Sequence, residues 1–293
     1  MTAEEKLRDS IFKEIFWMLG LADHTSIQKI LRPLLLPAVK HASQVLSDLD
    51  QQVQRDGLPE SLRSRLPRFI NELTTYGAEL IPQESPLLIA SNHPAAFDLP
   101  LIISTLHRDD VKTITSEVSI FRHLENIGPH FIQIGHDVFR RSAAVREAVH
   151  YLRAEGALII FPTGIVDPDP AFLAGSEASL EKWSPSLELF LRQAPQTQIM
   201  LSIVSGVLSP GWYHNPITRI RRERFRRQKV AEIFQISQQL LFPNSLKLSP
   251  SISFSRPMTV QELRSDKRED SLMPAIIDHA KALLSDHLSR LHC

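Results

Sequence analysis

The alternation of short apolar runs with helical segments, which begins near Tyr76, limits most strongly what this chain can fold into. Apolar runs of strand length are bounded by prolines and turn residues: ELIP, PLLIA, VKTIT, HFIQI, ALIIFP, QIMLSIVS and SISFSRP. Segments with helical periodicity separate or follow them: FDLPLIISTLH, SAAVREAVHYLRAEG, residues 183–192, residues 226–241 and two C-terminal stretches. This order predicts an α/β fold with a mixed, mostly parallel sheet flanked by helices. In SAAVREAVHYLRAEG, Ser142 is the expected N-cap and Gly156 the expected end.

The first 75 residues differ from the rest, because their pattern is helical only. EEKLRDSIFKEIFWML repeats apolar residues at four-residue spacing, and further helices are predicted within 37–55 and from Glu60 to about Leu73. Prolines at 33, 37, 59 and 67 are expected to separate these pieces. The chain is therefore predicted to divide into an N-terminal helical region, 1–75, and an α/β domain, 76–293.

Composition and charge narrow the class of partner and the compartment. Thirty-three basic residues balance thirty-three acidic ones, so no overall positive field favours nucleic acid. The one cysteine, Cys293, cannot form a disulfide framework within the chain, which fits a reducing compartment. The N-terminus lacks the pattern of a signal peptide, and the most apolar stretch, ILRPLLLPAV, is interrupted by an arginine and two prolines. We expect a cytoplasmic protein, peripheral on the inner face of a membrane if it meets one.

The stretch SNHPAAFD, directly after the apolar run PLLIA, is a candidate for chemistry. A strand that ends there places His93 at the edge of the sheet, with Asp98 about one turn into the next segment. A carboxylate bonded to one imidazole nitrogen fixes the tautomer, so that the other nitrogen can remove a proton from a hydroxyl. The alternative is a loop histidine followed by a helix-capping aspartate. Spacing alone leaves both interpretations open.

Other motifs decide between known site types. The sequence has no G-x-S-x-G, H-E-x-x-H, G-x-G-x-x-G or Walker-type loop. SNHPAAFD instead resembles the N-H-x-x-x-x-D block of the glycerolphosphate and lysophospholipid acyltransferase family. IGHDVFRRS (134–142), LIIFPTG (158–164) and IMLSIVSGVLSP (199–210) resemble the next three blocks of that family, in the same order. The helical leader resembles that of the soluble plastid-type glycerol-3-phosphate acyltransferases.

This resemblance implies an acyltransferase that moves a fatty acyl group from acyl-CoA or acyl carrier protein to a hydroxyl of a glycerol-phosphate-type or lysophospholipid acceptor. His93 would be the general base and Asp98 the residue that orients it. The resemblance also implies substrate-binding residues: Asn92, Arg140, Arg141, Phe161, Pro162, Thr163 and Gly164. The acyl thioester is the co-substrate, and neither a cofactor nor a metal is expected.

One position departs from the family pattern. Thr163 stands where the family usually has glutamate, which motivates one alternative, a non-catalytic lipid- or thioester-binding relative. A further alternative is a thioesterase with water as acceptor. Asp167 and Asp169 flank Pro168 just downstream. The D-P-D-P pattern favours a rigid turn over a metal site.

A basic stretch, HNPITRIRRERFRRQKVAEIF, is a candidate surface for a partner. Its arginines are Arg219, Arg221, Arg222, Arg224, Arg226 and Arg227. They could contact anionic lipid headgroups or an acidic acyl carrier. Alternatively they form the solvated face of a helix whose apolar side, with Ile220 and Phe225, is buried.

Overall fold

The computed structural model describes residues 2–135, 137–219, 221–266 and 271–291. The strands are β1 Thr74–Tyr76, β2 Leu87–Ser91, β3 Val111–Ser116, β4 Phe131–Ile134, β5 Ala157–Ile160, β6 Gln198–Ser205 and β7 Ser251–Phe254. The helices are α1 Ala3–Met18, α2 Thr25–Asp56, α3 Leu58–Arg63, α4 Asp98–Thr105, α5 Val138–Arg153, α6 Ser176–Leu180, α7 Ser186–Gln193, α8 Pro210–Tyr213, α9 Pro216–Arg219, α10 Arg224–Leu241, α11 Val260–Asp266 and α12 Met273–Leu291. Cys293 and Ile220 lie outside the described residues.

The seven strands form one mixed sheet in the order β1-β7-β6-β2-β5-β3-β4. Strands β6, β2, β5, β3 and β4 run parallel, whereas β7 is antiparallel to β6 and parallel to β1. The predicted α/β class, with a mostly parallel sheet, is confirmed. The carboxyl ends of the five parallel strands therefore meet at one edge, where α/β proteins place their ligands.

Strand β2 lies at the centre of this sheet and is buried along its whole length. Its side chains alternate between two hydrophobic clusters. Leu87 and Ile89 join the cluster that contains α1 and α2, whereas Leu88 and Ala90 join the one under α5, α7 and α12. Helices on both faces explain why β2 is continuously apolar in sequence.

The N-terminal helices differ from the prediction in where they break. Helix α2 runs from Thr25 to Asp56, through Pro33 and Pro37, although a helix only within 37–55 was expected. Both prolines are exposed, so the carbonyls that lose a partner face solvent, while Val39 and Val53 stay buried. Burial of the opposite face therefore outweighs the local breaks.

Helix α3 ends at Arg63 instead of near Leu73, and a 3-10 turn follows over Leu66–Arg68. Pro67 explains the early end, because its nitrogen cannot donate to the carbonyl of Arg63. The boundary predicted at residue 75 falls inside β1, and the division into two regions stays a prediction.

Two other local predictions are wrong. ELIP is not a strand, because Ala78–Leu80 forms a 3-10 turn. Helix α5 begins four residues before Ser142, because the Asp137 side chain accepts a hydrogen bond from the Arg140 amide and caps it. The helix ends at Arg153, before Gly156. In the described parts of the chain, no helix combines the length and the apolarity that crossing a membrane requires.

Candidate active site

The His93–Asp98 pair lies at the carboxyl edge of the sheet, between the end of β2 and the start of α4. His93 Nδ1 lies 2.9 Å from Asp98 Oδ2, a hydrogen bond that leaves Nε2 for another partner. The Asp98 side chain is fully buried, whereas 24% of the His93 side chain stays exposed. A buried carboxylate that bonds one nitrogen of a partly exposed imidazole is the arrangement that general-base catalysis requires.

Electrostatics around this pair favour a protonated imidazole. Burial is the largest influence on the pKa of His93 and lowers it, but Asp98, Glu232 and Asp167 together raise the pKa above its ordinary value. Burial also raises the pKa of the Asp98 carboxyl, against the opposing effect of His93. Acidic side chains therefore surround the His93 imidazole, the group that would accept a proton.

Asp167 connects this pair to the segment after β5, and sequence reasoning missed its part in the site. Its Oδ2 accepts the His93 amide at 2.8 Å, and its own amide donates to the His93 carbonyl at 2.7 Å. Its carboxylate also accepts hydrogen bonds from Thr163 Oγ1, at 3.2 Å, and from Ser179. The signal was present in the D-P-D-P pattern, for which a rigid turn was predicted; the structure places its first aspartate against His93.

The segment Phe161–Gly164 reaches the candidate site. The rings of Phe161 and His93 stack with centroids 4.4 Å apart. The Pro162 carbonyl accepts the Ser184 amide at 3.1 Å, and Thr163 Oγ1 also donates to the Ile165 carbonyl. Gly164 has φ +65°, and no atom lies within 4 Å of where a Cβ would stand. This turn is therefore held on one side and open on the other.

Asn92 is buried beside His93, and its side chain is hydrogen-bonded within the fold. Its Nδ2 donates to the Val204 carbonyl at 2.9 Å, and its Oδ1 accepts the Val204 amide at 2.7 Å. The side chain thus ties the end of β2 to β6. A direct substrate contact by Asn92 stays a prediction.

The two predicted acceptor arginines lie farther along the same edge, on the first turn of α5 after β4. Three strand spacings separate β4 from β2, which corresponds to about 14 Å. Both side chains are exposed, and Arg140 bonds Glu117 at 3.3 Å and Asp137 at 3.4 Å. Arg140 and Arg141 are therefore on the correct edge of the sheet, but not against His93.

Glu232 on α10 is the second site residue that sequence reasoning missed. Its carboxylate accepts the amide of Ala96, in the turn between His93 and Asp98. Burial raises its pKa to about 7, with Asp98 adding to the effect and His93, the Ala96 amide and Lys229 opposing it. The available signal was a single glutamate between the apolar residues Ala231 and Ile233.

A cavity of about 410 Å³ opens beside the same turn. Helices α1, α2 and α10 form most of its wall, and Ala96, Phe97 and Pro100 close the end next to the His93–Asp98 pair. The other apolar lining residues come mainly from these helices: Ile11, Ile15, Met18, Leu35, Ala38, Val39, Ala42, Val45, Leu46, Leu49, Ile233, Ile236 and Leu240. Such a cavity suits a long apolar chain.

The basic stretch divides into inward and outward arginines. Arg221 donates to the Leu19 carbonyl at 2.6 Å, Arg224 bonds Gln228, and Arg227 donates to the Tyr213 carbonyl at 2.7 Å. The outward arginines are Arg219, Arg222 and Arg226, of which Arg226 pairs with Glu223. Three of the six predicted contact arginines are therefore used in hydrogen bonds within the protein.

Comparison with known proteins agrees with this geometry over part of the chain. Residues 72–182 match the model of a protein family described as Acyltransferase. The matched segment contains His93, Asp98, the arginines of α5 and the Phe161–Gly164 turn, and it ends before Glu232. No curated protein matches the sequence.

Among solved structures, the 1-acyl-sn-glycerophosphate (LPA) acyltransferase PlsC from Thermotoga maritima is similar, with a TM-score of 0.45 and 13% identity. The match covers 98% of this chain and 95% of that chain. A likeness of that size is too distant to support a conclusion on function.

Proposed function

We propose that this protein is an acyltransferase that moves a fatty acyl group from a thioester, carried by CoA or acyl carrier protein, to the hydroxyl of a lipid-type acceptor. The observation that carries the proposal is the contact between a general-base pair and an apolar cavity. Ala96 and Phe97, which line the cavity, lie in the turn between His93 and Asp98. The family match over residues 72–182 supports the same reaction class.

The apolar cavity is evidence for a donor that carries a long acyl chain. Its wall is apolar apart from a few side chains at Glu14, Arg65, Glu232 and Ser237. Each buried methylene contributes about 0.8 kcal/mol, so a chain of many carbons binds such a cavity well. The thioester at the head of the chain would then lie near His93.

The chemistry follows from the free imidazole nitrogen. His93 Nε2 takes the proton of the acceptor hydroxyl while the hydroxyl oxygen attacks the thioester carbonyl carbon. The tetrahedral intermediate then breaks its carbon–sulfur bond, and the departing thiolate takes the proton from the imidazolium. Asp98 holds the ring through Nδ1 and stabilises the charge that forms on it.

The acceptor we propose is of the glycerol-phosphate or lysophospholipid type, whose phosphate arginines at the same edge of the sheet would hold. Arg140 and Arg141 present planar guanidinium groups that can bond two phosphate oxygens. Thr163, in place of the glutamate of the resembling family, bonds Asp167, so a carboxylate still stands beside this turn.

The surface near Leu19 presents both basic and apolar side chains, which suits the anionic face of a membrane. The protein would meet an acceptor lipid there. Exposed Arg219 and Arg222 lie in the segment that Arg221 fastens to Leu19, close to exposed Trp17 and Ile217. Basic and aromatic groups of this kind bind lipid headgroups. Sedimentation with anionic but not zwitterionic vesicles, lost on Arg219→Glu with Arg222→Glu, is the expected result.

The reaction is tested by thiol release from palmitoyl-CoA and palmitoyl-acyl carrier protein. The acceptors are glycerol 3-phosphate, lysophosphatidate and an uncharged lipid alcohol, and mass spectrometry identifies the product. We expect acceptor-dependent release that falls about 10²–10⁴-fold in His93→Ala. His107→Ala, an exposed histidine after α4, is the control and should keep wild-type activity.

The alternatives give different results in the same assay. Release of thiol without any acceptor indicates a thioesterase. Binding of acyl-CoA without release, in the presence of every acceptor, indicates a non-catalytic relative and contradicts the proposed transferase.

A further inference from the structure

Helix α10 carries a row of polar side chains on a face that is turned into the protein. Arg224, Gln228 and Glu232 are spaced by four residues and so share one face of the helix. Gln228 is 1% exposed and Glu232 is 5% exposed. Burying polar groups is unfavourable unless they are hydrogen-bonded, so the partners of this row indicate what the helix does.

The row bonds the backbone of the two segments that flank His93. Gln228 Nε2 donates to the Asp167 carbonyl at 2.7 Å and to the Pro94 carbonyl at 3.3 Å. Arg224 holds Gln228 and donates to the Val166 carbonyl at 3.4 Å. Glu232 accepts the Ala96 amide.

Glu232 differs from the other two side chains, because it is the one that can bring a negative charge. It meets the 94–97 turn at its midpoint, and this turn sets the separation of His93 and Asp98. The residue also lines the apolar cavity, so it stands where the acyl chain and the imidazole meet. No matched part of the acyltransferase family model reaches this helix.

We propose that Glu232 is a positioning residue of the candidate active site, which fixes the His93–Asp98 turn through the Ala96 amide and directs a second negative charge at the His93 ring. Its catalytic consequence rests on the proposed function, whereas its effect on His93 does not. The charged groups that face it are His93, Asp98 and Lys229, and Glu14 in turn faces Lys229.

The electrostatic influences agree with this geometry. Glu232 is among the groups that raise the pKa of His93 against burial. Removing its charge therefore lowers the pKa of His93. Removing the hydrogen bond as well frees the turn and disturbs the geometry of the pair.

The test compares Glu232→Gln, which keeps an acceptor for the Ala96 amide, with Glu232→Ala, which does not. The titration of the His93 ring is followed by NMR, and kcat and KM are measured for acyl transfer. We expect a lowered His93 pKa in both variants and a KM changed by less than about twofold. We expect kcat to fall about 10-fold in Glu232→Gln and about 100-fold in Glu232→Ala.

Glu262→Gln is the matched control. Glu262 also accepts a backbone amide, from Thr259 at 2.7 Å, but it does so at the start of α11. This variant should leave both the His93 titration and kcat unchanged. Circular dichroism establishes that each variant folds, and Glu232→Gln keeps the size of the side chain if Glu232→Ala does not fold.

An unchanged His93 titration in Glu232→Gln overturns the proposal, and so does an unchanged kcat. A lower kcat without a change in titration indicates a purely structural role and also overturns it. If the wild-type protein transfers no acyl group, the proposed function fails, and the titration alone then decides whether Glu232 acts on His93.

Discussion

The two sides of the candidate site are built differently. On one side, the His93–Asp98 pair and the apolar cavity are enclosed by side chains that are almost fully buried, such as Asp98, Gln228 and Glu232. On the other side, Arg140 and Arg141 lie exposed on the first turn of α5. The first side is defined by many short hydrogen bonds, the second by loose ion pairs of Arg140 with Glu117 and Asp137.

This difference shows which part of the candidate site the fold holds in one arrangement. Buried, hydrogen-bonded groups resist rearrangement, because breaking their bonds leaves polar groups without partners. Exposed ion pairs contribute little and rearrange easily. The His93–Asp98 pair and the apolar cavity are therefore fixed before any ligand binds, whereas Arg140 and Arg141 can turn toward a ligand.

The largest effect is expected at the enclosed side, from Asp98→Asn. Asparagine keeps the size of the side chain but offers no negatively charged acceptor for the Nδ1 proton of His93. The productive tautomer and the imidazolium are therefore both less stable. Acyl transfer should fall about 10²–10⁴-fold, measured as thiol release from palmitoyl-CoA with the best acceptor.

Asp109→Asn, at an exposed position before β3, is the control for that substitution. It should keep full activity. Wild-type turnover in Asp98→Asn would show that the buried carboxylate only caps α4.

The next largest effect is expected from filling the cavity with Ala42→Trp. Ala42 lies on the wall that α2 contributes, and an indole there removes space that a long chain would occupy. We expect kcat/KM for palmitoyl-CoA to fall about 10–100-fold, since each methylene that no longer binds loses about 0.8 kcal/mol. Octanoyl-CoA should be affected much less.

Ala178→Trp introduces the same side chain on an exposed turn of α6 and should leave both substrates unchanged. Equal losses for palmitoyl-CoA and octanoyl-CoA in Ala42→Trp would mean that the acyl chain lies elsewhere.

Single sequence motifs also predicted more about the enclosed side than about the exposed side. The short distance along the chain from His93 to Asp98, and the strand that precedes them, placed the two side chains within reach of each other, and the structure shows this contact. Glu232 lies 139 positions after His93 and Asp167 lies 74 after it, and only the folded sheet and α10 bring them together. Pairing over such distances depends on packing that no local pattern encodes.

The helices show the same limit at a smaller scale. Proline predicted breaks at Pro33 and Pro37, but burial of the opposite face of α2 keeps that helix continuous. The Ser142 cap was wrong because Asp137 offered an equally good cap five residues earlier in the chain. Local propensity is a weak guide where tertiary packing or a competing cap is available.

A smaller effect is expected at the exposed side, from Arg141→Ala and Arg140→Ala. An exposed arginine that turns toward a phosphate contributes about 1 kcal/mol, so the KM for lysophosphatidate should rise about fivefold. The KM for an uncharged lipid alcohol should not change. The difference between acceptors should shrink as the salt concentration rises, because salt screens exposed charges.

Arg146→Ala, on an exposed face of the same helix, is the matched control and should behave as wild type. A rise in KM for the uncharged alcohol as well would point to a folding defect in α5 instead of a phosphate contact.

The last effect concerns stability instead of activity, and it returns to the enclosed side. The pKa of Glu232 is about 7 in the folded protein, above the ordinary value of 4.5, because burial disfavours its charge. Below pH 4.5 both states are protonated and the group has no effect. As the pH rises from 4.5 to 7, the unfolded chain ionises first, so the folded state loses stability, by at most about 3 kcal/mol. Glu232→Gln removes this loss.

The stability of Glu232→Gln relative to wild type should therefore increase between pH 4.5 and pH 7 and stay constant above that. Urea unfolding at several pH values measures it, and comparing the two proteins at each pH cancels the shared effects of other groups. The substitution also removes the influence of Glu232 on His93, Asp98 and Lys229. The raised pKa of His93 stabilises the fold at low pH, and that contribution is lost as the pH rises. A relative stability that is flat with pH would mean that the Glu232 carboxyl is ionised as easily as in the unfolded chain, and the enclosed side would then be far better hydrated than its burial implies.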